Sequence, residues 1–240
     1  MNKLSVVVPM YNETNIYANM QEMIKSISSN FKHYEIILVD DGSTNNCLAE
    51  AKKIRSKYLR VVGYKKNKGK GHALKYGYTF VTGDAVTFID ADLDLHPDQI
   101  KHFAKHLTNA DVVIGNKRHH QSNVHYPWFR KFFSFGYHIL VFFLLGLRLQ
   151  DTQSGLKLFK KEVLDNVLPR VAIKKYAFDL ELLLNAHKQG YKIYEAPISL
   201  TYKFSGTGIN LKEIYYMFVD TLAIAYRLHI LRYYDKKHTN

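Results

Sequence analysis

Apolar positions fall into two regimes along this chain. Up to residue 115, short runs rich in β-branched residues alternate with longer polar segments of helical character. The runs are Leu4 to Pro9, Glu35 to Val39, Arg60 to Tyr64, Ala85 to Ile89 and Asp111 to Ile114. Between them lie helical segments at Asn12 to Ser28, Asn46 to Tyr58, from after the glycine-bearing turn Asn67 to His72 to about Val81, and Asp98 to Leu107. Runs that are apolar throughout, as Ala85 to Ile89 is, belong to strands covered on both faces. The alternation predicts an α/β fold with right-handed crossovers and a mainly parallel sheet flanked by helices, in which ligands sit at the carboxyl ends of the strands.

Beyond Arg118 the pattern changes. Phe132 to Leu147 is almost continuously apolar, but sixteen residues make a helix of roughly 24 Å, short of the ~30 Å hydrocarbon core. It is expected to lie on a membrane interface, or to pack beneath a homodimer contact. A polar turn at Gln150 to Gly155, a short strand Leu156 to Phe159, a helix Phe178 to Lys188 and a strand Ile198 to Tyr202 follow. After a loop at Ser205 to Gly208, the chain closes with an aromatic, basic helix from Leu211 to Tyr234. The expected organisation is a catalytic domain over 1–210, including a basic and apolar interface region at 117–149, and a membrane-associating amphipathic helix in 211–240.

Each expected strand of the first regime ends in a polar cluster. Tyr11 and Glu13 follow the first; Asp40 and Asp41 the second; Lys68, Lys70 and His72 the third; Asp90, Asp92 and Asp94 the fourth; Lys117 and Arg118 the fifth. On an extended backbone, residues two apart point the same way, so the three aspartates of the fourth rim could meet at one point. Such carboxylates repel unless a cation intervenes, and hard oxygen ligands suit Mg²⁺ or Mn²⁺. The plain alternative is an acidic turn before the helix near Asp98. A nucleoside-diphosphate sugar fits the metal reading, because the ion would neutralise a departing diphosphate. Asp40 or Asp41 could accept hydrogen bonds from a nucleobase or ribose, and the glycines flanking Lys70 permit close approach to a nucleotide.

Charge narrows the partners. The net charge is +13, from 34 Lys and Arg against 21 Asp and Glu, which favours anionic partners. No carboxylate lies between Asp111 and Asp151, where Lys117, Arg118, Arg130, Lys131 and Arg148 accompany dense aromatic and aliphatic residues. Positive charge beside apolar surface suggests an anionic membrane surface, not nucleic acid, which would also be repelled by the acidic rims. One cysteine, Cys47, excludes an intramolecular disulfide and a cysteine zinc cluster. With no leader-like stretch at Met1, the expected place is the cytoplasmic face of a membrane, peripherally bound.

Val8-Pro9-Met10-Tyr11-Asn12-Glu13, Val39-Asp40-Asp41-Gly42-Ser43, the turn Lys68 to Ala73 and Asp90-Ala91-Asp92 resemble, in order and spacing, the motifs of family-two inverting glycosyltransferases with the GT-A, Rossmann-like fold. Asp151 to Phe159 and Phe178 to Leu183 resemble the branch that makes dolichyl-phosphate sugars, the glucosyltransferases and mannose synthases. The resemblance implies inverting transfer of glucose or mannose from a UDP- or GDP-sugar to dolichyl or polyprenyl phosphate. It implies that Pro9, Tyr11, Glu13 and Asp40 hold the nucleotide, and that Asp90, Ala91 and Asp92 hold the diphosphate and metal. Asp94 stands where mannose synthases often carry Gln. Lys117, Arg130 and Ser154 would face the lipid phosphate, with Arg118 beside them, and together with Asp92 would carry catalysis. Lys117 replaces an Arg usual in mannose synthases, losing a bidentate fork, and Lys203 is expected to supply a further acceptor contact.

A lipid phosphate is already an anion, so alignment and charge stabilisation would suffice without a strong base. Asp179 and Glu181 would shape the acceptor or sugar pocket, or else serve as N-terminal helix charges favoured by the dipole. Two other functions compete: a transferase acting on a soluble glycan or protein, which would keep a dedicated base, and a silent membrane-bound nucleotide-binding module, which would not need the metal pair.

Overall fold

The computed structural model describes residues 1–124, 128–200 and 211–236; for 128–133 and 211 it describes the helical backbone alone. The first half runs β1 (Leu4–Met10), α1 (Ile16–Asn30), β2 (Tyr34–Asp40), α2 (Cys47–Lys52), β3 (Leu59–Gly63), α3 (Lys70–Tyr78), β4 (Ala85–Phe88), α4 (Ile100–His106) and β5 (Val112–Asn116). The second half adds β6 (Asn123–Val124), α5 (Trp128–Leu145), β7 (Lys157–Lys160), α6 (Lys161–Val167), α7 (Phe178–Lys188), β8 (Ile193–Pro197), β9 (Ser199–Leu200) and α8 (Leu211–His229).

A seven-stranded sheet in the order β3-β2-β1-β4-β7-β5-β8 forms the middle layer. Its strands pair in parallel except β7, which runs antiparallel between β4 and β5. The apolar runs are explained by cover on both faces. Leu4, Val6 and Val8 of β1 and Ile36 and Leu38 of β2 enter one core with Met20, Met23 and Ile27 of α1. Val7, Ile37 and Val39 enter the other with Ala73 and Leu74 of α3 and the helices of the second half. Burying each such side chain contributes about 1.5–3 kcal/mol.

Several expected boundaries move. Helix α2 stops at Lys52, not Tyr58, because Lys52 with Arg55 and Lys53 with Lys57 would set like charges three and four residues apart. The strand expected at Ile198 to Tyr202 is present in its described part as the short β9, Ser199–Leu200, paired with β6, while residues 201 and 202 fall outside the described residues; β8, at Ile193–Pro197, is an additional strand just upstream. Strand β8 pairs only with β5, as an edge strand, a position that tolerates its polar Glu195 and terminal Pro197. Helix α8 ends at His229; Arg232 then takes a left-handed backbone, and a short 3₁₀ turn at Tyr233–Asp235 follows. Helix α7 is buried on nearly all sides, which puts Asp179 and Glu181 inside the protein.

Candidate active site

The rim of β1, β2 and β3 is a network of side chain to backbone bonds. Asn12 adopts φ +54°, and its Oδ1 accepts from Thr44 N at 2.8 Å, joining the loops after β1 and β2. Asp41 is 3% exposed and accepts from Tyr64 Oη at 2.7 Å, Asn67 Nδ2 at 3.0 Å, Lys68 N at 2.8 Å and Gly69 N at 2.9 Å. Its carboxylate is consumed in shaping the turn ahead of α3, with Gly69 at φ +98°, where a side chain would be strained. That corrects its expected nucleotide contact. Asp40, equally buried, accepts only Ser43 N at 3.1 Å among these loop bonds, so of the two it is the one with capacity left for a ribose or base. Tyr11 is half exposed at the same rim.

The rim of β4 departs from the extended geometry expected of it. The strand ends at Phe88 and residues 91–92 turn; Leu93 has φ +60°, and Asp94 N donates to Asp92 Oδ1 at 3.0 Å. The alternation that would have aimed Asp90, Asp92 and Asp94 at one point is therefore broken. Among the described residues no three acidic, His or Cys side chains are gathered closely enough to hold a metal ion, which corrects the three-ligand group.

What the turn does assemble is an acidic pair with a cation. Lys70, the first residue of α3, places Nζ 2.6 Å from Asp90 Oδ1. Burial alone would lower the Lys70 pKa, but Asp90, Asp179 and Asp92 outweigh it and hold the ammonium charged, above its ordinary range. Asp92 is open to solvent at its tip, yet the protein mass around it and the charges of Asp90, Asp94 and Glu13 push its pKa up to about 6. Glu13 and Asp92, far apart in sequence, thus share one rim. Two carboxylates in mutual repulsion are a donor set that a divalent cation suits, since Mg²⁺ is commonly held by one or two carboxylates with substrate phosphates completing its shell. Ala91 is buried, and its carbonyl accepts from Asn19 Nδ2 at 2.9 Å, fixing the turn to α1.

The basic half adjoins the acidic one through the loop between α5 and β7. Gly155 in that loop lies directly on the Asp90 carboxylate, leaving no room for a Cβ. Asp151 Oδ2 accepts from Lys117 N at 3.0 Å and lies 3.6 Å from Lys117 Nζ. Glu195 of β8 fastens the loop by accepting Gln150 N and Asp151 N at 2.9 and 3.1 Å. Arg118 Nη2 donates to Ser134 Oγ at 2.8 Å and to the Ser134 carbonyl. Lys117, Arg118, Ser134, Tyr137, Asp151 and Gln153 line a cavity of about 40 Å³. Ser154 does not line it: its hydroxyl is wedged against Gly115, 1% exposed and without a partner. Gln153, absent from the sequence expectation, does line it, and its buried Nε2 likewise has no partner. Unpartnered buried donors are costly, and the Gln153 amide sits at the cavity, where an oxygen-rich ligand would satisfy it.

Asp179 reaches the charges of the β4 rim and Glu181 faces the scaffold. Asp179 Oδ1 lies 2.9 Å from Lys157 Nζ, and its charge reaches Lys70. Glu181 is 0% exposed and accepts from Ala172 N, Ile173 N, Arg227 Nη1 and Tyr234 Oη at 2.9, 2.6, 3.1 and 2.5 Å. It is a structural hub joining α7 to α8, correcting its expected acceptor role. Lys203 lies outside the described residues, and of Arg130 only the place on α5 is described. Lys157 was missed, although a lysine within an otherwise apolar strand, Leu156-Lys157-Leu158-Phe159, was a signal that could have found it.

Known proteins resemble this chain in sequence and in fold. Residues 5–168 match the model of glycosyl transferase family 2. Dolichyl-phosphate beta-glucosyltransferase of Mus musculus is 32% identical over 218 residues, covering 83% of this chain and 67% of the mouse protein. The Saccharomyces cerevisiae protein of the same name is 30% identical over 254 residues, covering 95% and 74%. Among solved structures, glucosyl-3-phosphoglycerate synthase from Mycobacterium tuberculosis with Mn²⁺, UDP and glucosyl-3-phosphoglycerate aligns with TM-score 0.71 at 22% identity, covering 94% of this chain and 79% of that one. A mannosyltransferase from Pyrobaculum calidifontis with GDP-Man and Mn²⁺ aligns with TM-score 0.64 at 22% identity, covering 93% and 64%. The fold they share with this chain is GT-A.

Proposed function

The chain belongs to glycosyl transferase family 2, and from that premise we propose that it moves a hexose from a nucleoside diphosphate to dolichyl or another polyprenyl phosphate, with inversion. One observation carries the reading: Gly155 lies directly against the Asp90 carboxylate, and the loop that holds it also carries Gln153 and Asp151, to which Lys117 is bonded. One loop therefore joins the acidic, metal-fitting half to a basic half with an unsatisfied donor. Glucose is favoured over mannose by the activity named for the relatives.

In this mechanism Asp40, Tyr11 and Glu13 seat the nucleoside at the β1–β2 rim. Asp90 and Asp92 would hold Mg²⁺ or Mn²⁺, which when bound supplies charge neutralisation for the diphosphate. Lys70 adds a fixed positive charge beside them. Lys117, Arg118 and the Gln153 amide grip the acceptor phosphate, with Arg130 and Lys203 as further expected contacts. The acceptor oxygen forms a bond to the anomeric carbon as the bond to the nucleoside diphosphate breaks, and the leaving group departs with the electron pair. No proton need be removed, so the absence of a base in the proposed acceptor contacts is consistent with the chemistry; alignment and charge carry the step. Purified protein given polyprenyl phosphate, Mn²⁺ and a panel of UDP- and GDP-sugars is expected to release nucleoside diphosphate, most with a glucose donor. Turnover with soluble glycans in place of every lipid phosphate would overturn the acceptor assignment.

A peripheral membrane position follows from the same reading. Helices α5 and α8 pack together, with Tyr137 Oη 3.0 Å from Thr221 Oγ1 and His229 Nε2 2.7 Å from the Leu144 carbonyl. They leave Phe135, Phe143 and Tyr215 exposed at 57%, 79% and 63%. No helix among the described residues is long and apolar enough to cross a membrane. An exposed apolar patch of this kind marks an interaction surface, and the net charge of +13 suits the anionic cytoplasmic leaflet. Protein mixed with vesicles containing anionic lipid is expected to float with them. Phe143→Asp with Phe135→Asp should weaken that binding by about 100-fold or more, at ~1.5–3 kcal/mol for each ring. Wild-type protein that stays at the bottom of the gradient excludes this surface as the membrane contact.

A further inference from the structure

Lys157 stands in the middle of the sheet, on β7 between β4 and β5, and is 1% exposed. A lysine ammonium so deep is costly unless paired and hydrogen-bonded, and a sheet core needs none. Its Nζ meets Asp179 Oδ1 at 2.9 Å and also donates to the Ser154 carbonyl. Asp179 is in turn close enough to Lys70 to act on its charge, while Lys70 is bonded to Asp90 at 2.6 Å. The order Asp90, Lys70, Asp179, Lys157 therefore alternates in sign from the acidic rim to the loop that carries Gln153 and Ser154. Three carboxylates act on Lys70, those of Asp90 and Asp92 on the rim and that of Asp179 behind it. Asp179 is already satisfied by Lys157, so Lys70 remains with Asp90.

We infer that Lys157 is a positioning residue for the transfer reaction: it occupies Asp179 so that Lys70 stays on the donor carboxylates, and it fixes the Ser154 carbonyl so that the acceptor loop keeps its place against Asp90. This role rests on the function proposed above. It touches neither substrate; it acts through Lys70 and through the loop.

Lys157→Met leaves Asp179 buried and unpaired, drawing Lys70 away from Asp90. Lys157→Met combined with Asp179→Asn removes both buried charges and returns Lys70 to Asp90. Calorimetric titration with UDP and with GDP, each with Mn²⁺, is read beside Tm and kcat. The single variant is expected to bind the nucleotide about 10- to 100-fold more weakly, the coupling typical of one charge network. The double variant should recover affinity to within about threefold of wild type while kcat stays low, because the Ser154 carbonyl is still unheld. A scaffold role alone would lower Tm and leave the affinity of the folded protein unchanged, so that pattern overturns the inference. A single variant that binds and turns over as wild type does overturns it as well. Wild-type protein that binds neither nucleotide instead overturns the nucleotide-sugar reading, and this role with it.

Discussion

Asp92→Asn is expected to cut turnover by about 10³-fold or more, roughly 4 kcal/mol of transition-state stabilisation, and at the same time to raise Tm at neutral pH. Both effects have one cause. Asp92 sits among Asp90, Asp94 and Glu13, with partial burial and those charges raising its pKa to about 6, so the folded protein is destabilised by the carboxylate that a divalent cation requires. The direction with pH follows from linkage: a carboxylate whose folded pKa lies above its unfolded value binds more protons when folded, so its contribution to stability is fully present below about pH 4 and is lost as pH rises through about 6. The neutral variant escapes that loss. Because the side chain is substantially exposed, solvent screening reduces the gain, and a rise of about 2–4 °C at pH 7.5 is a fair expectation for ~1 kcal/mol in a domain of this size.

The measurement is Tm of both proteins without metal at pH 4.5, 6.0 and 7.5. The difference should shrink toward zero at the lowest pH. Mn²⁺ with nucleotide should then stabilise wild type by mass action and not the variant. A variant less stable than wild type at pH 7.5 would mean that favourable partners hold the carboxylate and that no repulsive pair awaits a cation. Retained turnover would remove Asp92 from the metal site.

Glu181→Ala is expected to lose about 3–5 kcal/mol of stability, the cost of breaking a buried ionic network by removing one partner, or a fall in Tm on the order of 10 °C. Alanine would strand the amides of Ala172 and Ile173, the Tyr234 hydroxyl and the Arg227 guanidinium, all of which converge on this one carboxylate. Arg227 lies on α8 and Tyr234 just beyond it, so the loss should loosen the attachment of α8 to α7, and with it the apolar α5–α8 surface. Chemical denaturation gives the free-energy change, and hydrogen exchange locates it in 172–181 and 221–234. If Glu181 instead contacted the acceptor, stability would barely move and the acceptor KM would rise; that pattern would displace the hub assignment.

The motifs at the ends of β1, β2 and β4 could be recognised from the sequence because each is a few residues long and sits beside a strand whose apolar run announces its cover on both faces. The same local logic failed where the backbone left its ideal form. Alternation presumed an extended chain from Asp90 to Asp94, but the turn and the positive φ of Leu93 broke it. Asp40 and Asp41 looked equivalent on the page; only the fold showed four donors from residues 64–69 closing on Asp41. Gln153 and Lys157 drew no attention because their meaning lies in what surrounds them: for one, a missing partner; for the other, Asp179 twenty-two positions away.

By itself, then, the sequence determined the α/β class, the parallel pairing of the first strands and the acidic rim beside β4, since burial on both faces and turn chemistry act over a few neighbouring residues. Tertiary structure alone decided that β7 enters antiparallel between β4 and β5, that its loop rests on Asp90, and that Asp179 pairs with Lys157 while Glu181 braces the scaffold. Those outcomes depend on hydrogen bonds and ion pairs between residues far apart in the chain. Their existence is fixed by how packed elements meet, and no local pattern encodes it.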